Sequence, residues 1–147
     1  MLEVFSTPRN RTLMFVFLAI CCVSATAAGL VGISDNPPGI LLAFGAAATF
    51  ILAFVHPWRT ARQFRRLLYV SLLGLLIFGI LHNVFEAVAS KAASGGALQS
   101  LLQILGVAAF LLAVLVCPPA VLVGAVGSVV MSIRNRRRSI QDRGTAA

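Results

Sequence analysis

The chain has 147 residues, of which 59% are hydrophobic and 11% charged, with a mean hydropathy of +0.96. A water-soluble domain of this size keeps about a quarter of its residues charged, whereas here apolar residues gather in unbroken runs of about 18 or more, enough to cross a ~30 Å hydrocarbon core. Composition therefore excludes a soluble globular protein, continuous rather than alternating runs exclude a β-barrel, and an all-α integral membrane bundle remains.

Net charge is +8, yet the basic residues sit on the flanks of apolar runs with no aromatic platform beside them. That pattern sets topology and does not suggest a nucleic-acid partner. Residues 1–10 form a short polar lead. The first predicted span covers about residues 12–31. Arg9, Arg11 and the small-residue stretch at 24–28 also fit a cleavable signal peptide; the apolar run continues to Val31, which favours a retained helix.

Residues 32–39, GISDNPPG, form the clearest turn. Asp35 and Asn36 can bond their own backbone, and Pro37 and Pro38 suit the first turn of a following helix. The second span is predicted over about residues 40–56, closed by Pro57 and Trp58. Arg59, Arg62, Arg65 and Arg66 then crowd into a short linker. The favoured reading is a plain topogenic linker. Trp58, Ala61 and Phe64 recur every three residues, so the alternative is a short interfacial helix that turns them toward lipid while the arginines meet headgroup phosphates.

The third span is predicted over about residues 67–89 and holds the strongly polar group His82, Asn83 and Glu86. His82 and Glu86 are four apart and share a helix face. Ionisable groups inside a span are candidates for function. The favoured reading is a hydrogen-bonded pair that steadies the outer end of the bundle; the alternative joins Asp35 from the outer loop to them as a candidate site for a proton or a divalent cation. Two ligands from one helix are too few for a metal site, and no cofactor is indicated.

A loop of small residues leads to the last apolar stretch, about residues 98–133, interrupted by Pro118 and Pro119. As one helix it would measure about 54 Å, so it is either two short spans or one long helix kinked at the prolines. Charge decides. With four spans, all basic residues except Lys91 face the same side, including Arg134, Arg136, Arg137 and Arg138 beyond the last span; with five, the C-terminal group would break the positive-inside rule. Four spans are therefore predicted in a single membrane domain of the cell inner (plasma) membrane. Both termini are cytoplasmic, and residues 134–147 form a basic cytoplasmic tail.

The prolines leave the carbonyls of Val114 and Leu115 without helical donors, so other groups must satisfy them. Small residues spaced by four mark faces for close helix packing: Ala120, Gly124 and Ser128 on the last span, Gly29 with Ala25 on the first, and Gly45 on the second. Cys21, Cys22 and Cys117 fall inside apolar runs, odd in number and without ligand spacing, so neither a disulfide framework nor a zinc site is read.

No nucleophile elbow, phosphate-binding glycine loop or metal motif is present, so enzymatic activity is not indicated. The expected role is structural or interactive: an accessory subunit or assembly factor that contacts anionic lipid through its arginines and a membrane partner or further copies of itself through its small-residue faces. A proton or cation transporter using His82 and Glu86 is the alternative, and a membrane enzyme acting on a lipid the third reading.

Overall fold

The structure is a computed structural model that describes residues 7–33, 36–92 and 96–144, with side chains placed as far as Arg137. Its helices are α1 (Pro8–Val31), α2 (Pro37–Val55), α3 (Ala61–Ala89), α4 (Ala97–Leu111) and α5 (Cys117–Gly144), with a π-helical turn over Leu112–Val116 that makes α4 and α5 one rod. Among the described residues, four helices are long and apolar enough to cross a membrane: α1, α2, α3 and the α4–α5 rod. The expected four-helix membrane bundle is therefore what the chain forms.

Each end of these helices has a local cause. α1 begins on Pro8 and α2 on Pro37, where the missing N–H has no helical partner to lose. α1 stops at Gly32, whose φ of +85° and ψ of 146° suit glycine alone. The Gly32 N–H still reaches Ala28 O at 2.9 Å, and Asn36 Nδ2 caps the Val31 carbonyl at 3.0 Å. The two helices then close tightly: a Cβ on Gly39 would fall on the Gly32 carbonyl.

α3 starts earlier than the apolar run suggests. Gln63 Oε1 accepts from the Arg59 and Thr60 N–H groups, both at 3.3 Å, and from the Thr60 hydroxyl at 2.8 Å. This capping pattern starts the helix at Ala61. No separate interfacial helix exists. Ala61 and Phe64 face inward, Phe64 only 6% exposed, and the Phe64 ring packs edge-on against half-buried Trp58 with centroids 5.4 Å apart. The alternative of a short interfacial helix with Ala61 and Phe64 turned toward lipid is thus not what forms. Their period-three spacing belongs to a buried face as readily as to a lipid face.

α3 lies antiparallel to the α4–α5 rod, and glycines permit the contact. A Cβ on Gly124 would stand 2.8 Å from the Leu68 backbone nitrogen, and one on Gly127 would enter the Phe64 ring. One on Gly74 would lie 3.4 Å from Cys117 Sγ. Ala113, Cys117 and Ala120 are buried on the same seam. Small residues let backbones approach, so dispersion and shape supply the attraction that lipid does not.

At the two prolines the rod widens. Cys117 N–H bonds Leu112 O, one residue further back than in an α-helix. Proline in a helix crowds the carbonyl four residues earlier, and a wide turn just before Pro118 gives that backbone room. The break expected at the prolines is therefore a π turn over Leu112–Val116. Beyond the apolar stretch, residues 134–144 continue α5, so most of the expected basic tail is helical.

The bundle is stepped. Among the described residues, α1 makes close backbone contact with α2; α2 with the π turn and α5; α4 with α3 and the π turn. Leu41 of α2 borders the same groove as Pro118, and Leu52 the same groove as Val126 and Val130, so α2 runs parallel to α5. The α1–α2 turn consequently lies beside the middle of the rod. α4, 15 residues long, rises past it by about 22 Å.

Candidate functional site

His82 stands on α3 one helical turn before Glu86 and faces α4. Its Nδ1 lies 3.1 Å from the Gly106 carbonyl oxygen. A carbonyl only accepts, so Nδ1 carries the proton and donates. The imidazole also tilts against the Phe110 ring with centroids 5.1 Å apart. Gly106 is buried there, and a Cβ on it would come within 3.5 Å of Phe85 Cβ. A Cβ at that distance would make an ordinary contact, so the position is tightly packed without requiring glycine.

The remaining nitrogen, Nε2, lies 3.8 Å from Glu86 Oε2. That distance is too long for a hydrogen bond. It becomes an ion pair when the ring takes its second proton. Glu86 itself projects outward, with its side chain 69% exposed. His82 is therefore a tie between two helices, with one solvent-facing carboxylate beside it.

The other predicted members are not brought together with this pair. Asn83 bends back to its own helix, donating through Nδ2 to Gly79 O at 2.8 Å, and borders a shallow apolar trough on the outer face of α3. Asp35 lies outside the described residues. Among the described residues no three histidine, cysteine, aspartate or glutamate side chains converge as a metal site would require.

The second polar region is a rim of arginines at the opposite end. The antiparallel registers put Arg9 and Arg11 at the start of α1, Arg59, Arg62, Arg65 and Arg66 around the start of α3, and Arg134, Arg136 and Arg137 on α5 at one end of the bundle. Arg59, Arg62, Arg65, Arg66, Arg134, Arg136 and Arg137 are all exposed. Arg138 belongs to the same helix, and its side chain lies outside the described residues. Arg59 and Arg134 border one crevice of about 220 Å³, together with Met131 and Asn135.

Of the predicted packing residues, Ala120 and Gly124 are buried and Ser128 is half-buried. A Cβ on Gly29 or Gly45 would meet nothing within 4 Å, so these two glycines are not used in packing within the chain. Gly39 and Gly127 carry that role without having been singled out. Gly127 sits three residues after Gly124, and spacing by four passes over it.

Chemically, the His82–Glu86 pair sets an imidazole nitrogen beside an exposed carboxylate, and the arginine rim gathers exposed guanidinium groups that suit anions. No family model, curated protein or solved structure matches this chain.

Proposed function

We propose that this protein is an interaction subunit of the membrane, an accessory or assembly factor that docks an apolar helix of a larger membrane protein on its projecting α3–α4 pair. One observation supports this reading above the others, the step in the bundle. α2 is 19 residues long, about 28 Å, and matches the hydrocarbon core by itself. With α2 filling that layer, α4 stands beyond it. Yet Leu98, Leu101, Ile104 and Val107 of α4 are exposed, Ile104 by 66%. Apolar side chains raised out of lipid favour a protein cover.

The rim at the other end adds a second contact. Exposed arginines on the extended α5 fit acidic groups at a membrane surface, and the positive-inside rule places that rim in the cytoplasm. His82 helps to hold the projecting pair together.

A photo-crosslinking residue at Leu101 or Ile104, activated in native membranes, tests the proposal. The interaction reading expects discrete protein adducts from these positions, and few from Tyr69 on the lipid-facing surface of α3. Adducts to lipid alone would refute it. Transport through the His82–Glu86 pair makes a different demand: proton or cation flux in proteoliposomes that Glu86→Gln abolishes. Equal flux in wild type and variant is expected here.

A further inference from the structure

The seam between α2 and α5 opens sideways as two apolar hollows, of about 380 and 400 Å³, which share Leu122 and Val123. The upper hollow is bordered by Gly45, Pro118 and Pro119; the lower runs down to Met131. Met131 also borders the crevice of Arg59, Arg134 and Asn135. Leu122, Val123 and Met131, each shared by two neighbouring spaces, join the three end to end along α5, and the run winds partly round the helix because positions spaced by four turn by about 40° per step. From Pro118 to Met131 it measures about 20 Å along the axis, slightly more than the ~15 Å depth of one leaflet.

We infer that this continuous groove is a binding site for one anionic phospholipid, with its acyl chains along the α2–α5 seam and its phosphate in the Arg59–Arg134 crevice. The argument rests on charge and shape together. An apolar channel that ends in two arginines at headgroup level matches the amphiphile that surrounds it. Arg59 is held in place for this role, because its backbone N–H is fixed by Gln63 Oε1 in the α3 cap. Glu86, the acid whose side chain is described, lies at the far end of α3. Among described side chains no carboxylate therefore neutralises the crevice. Gly45 serves the channel: a Cβ there meets nothing within 4 Å, so the missing side chain leaves the upper hollow open. This inference deepens the reading of the arginine rim as a contact for acidic groups and is independent of the docking surface proposed on α3–α4, which lies at the opposite end of the molecule.

The test uses the full chain in mild non-ionic detergent, stripped of lipid and mixed with phosphatidylglycerol or with phosphatidylcholine of the same acyl chains. Native mass spectrometry then reads the lipid retained. Wild type is expected to hold one phosphatidylglycerol with a preference of about tenfold or more. Arg59→Gln with Arg134→Gln should remove the preference, and Arg62→Gln with Arg65→Gln should leave it. Gly45→Leu, which fills the upper hollow, should weaken retention of the lipid while circular dichroism shows an unchanged helix content.

Equal retention of the two lipids by wild type, or no retention, overturns the site. So does an equal loss in the Arg62/Arg65 control, which would make the effect one of general charge. Complete displacement of the lipid by millimolar inorganic phosphate, with Gly45→Leu silent, would reduce the groove to a free-phosphate crevice. A dimer that Gly45→Leu dissociates would give the seam to a second copy. Either result contradicts the inference.

Discussion

His82 and Glu86 are neighbours on one helix face, yet their environments give them unequal weight. The imidazole bonds the Gly106 carbonyl and tilts against the Phe110 ring, so His82→Ala removes a polar tie and a ring contact between α3 and α4. Such a bond contributes about 1 kcal/mol. Glu86 is largely exposed, and exposed ion pairs add little. Unfolding of the detergent-solubilised protein in a dodecyl sulfate titration should show a loss of about 1 kcal/mol for His82→Ala and under about 0.5 kcal/mol for Glu86→Gln. An equal loss from both would mean that the pair, rather than the helix tie, carries the energy. Gly32 is the other residue where one atom decides. Its dihedral angles are closed to side chains, so Gly32→Ala should cost about 1–3 kcal/mol in the same titration.

At the scale of elements, two kinds of glycine have opposite expectations. Gly124→Ala drives a Cβ toward the Leu68 backbone, which cannot rotate away, so α3 and α5 must separate at a cost of about 1–3 kcal/mol. Gly29→Ala faces open space and gains helix propensity, so it should be neutral or stabilising by up to about 1 kcal/mol. Thermal unfolding midpoints in one detergent compare the two directly; a similar drop in both would refute the packing described for the α3–α5 seam.

Much of this level can be read from the residues. The spans follow from apolar length. The GISDNPPG turn announces both Gly32 and the prolines that open α2, and Ala120 with Gly124 announces a close helix contact without naming α3 as the partner. Other features do not show themselves. In lipid, apolar side chains face both outward and inward, so nothing in the pattern tells that Phe64 is buried while Tyr69 is exposed. The partner of His82 is a backbone carbonyl, and every residue has one. Asn83, about 100° round the helix from His82, turns to its own backbone where a cluster is expected. The π turn is signalled by Pro118 and Pro119 only as a break of unspecified form.

For the whole molecule, arginine placement and the step at α4 have one common consequence. Every described arginine lies at the end where α1 and α3 begin, and exposed apolar side chains run along α1, α3 and α4 as well as the α2–α5 seam. The bilayer must meet the first and tolerate or cover the second. That division organises both proposals, a protein partner at the projecting end and an anionic lipid at the rim. It also requires an even number of crossings, with the rod crossing once despite its 41 residues. Reading the apolar stretch as two spans would put Arg134–Arg137 across the membrane from Arg59–Arg66, with no support from the contact of Gly124 and Gly127 with α3.

Site-directed thiol labelling tests this arrangement most directly. With Cys21, Cys22 and Cys117 replaced by alanine, single cysteines at Thr7, Arg62, Arg137 and Lys91 are exposed to a membrane-impermeant maleimide in intact cells and again after lysis. Protection of Thr7→Cys, Arg62→Cys and Arg137→Cys until lysis, with Lys91→Cys labelled in intact cells, is the predicted result. Labelling that puts Arg62→Cys and Arg137→Cys on opposite sides would contradict it.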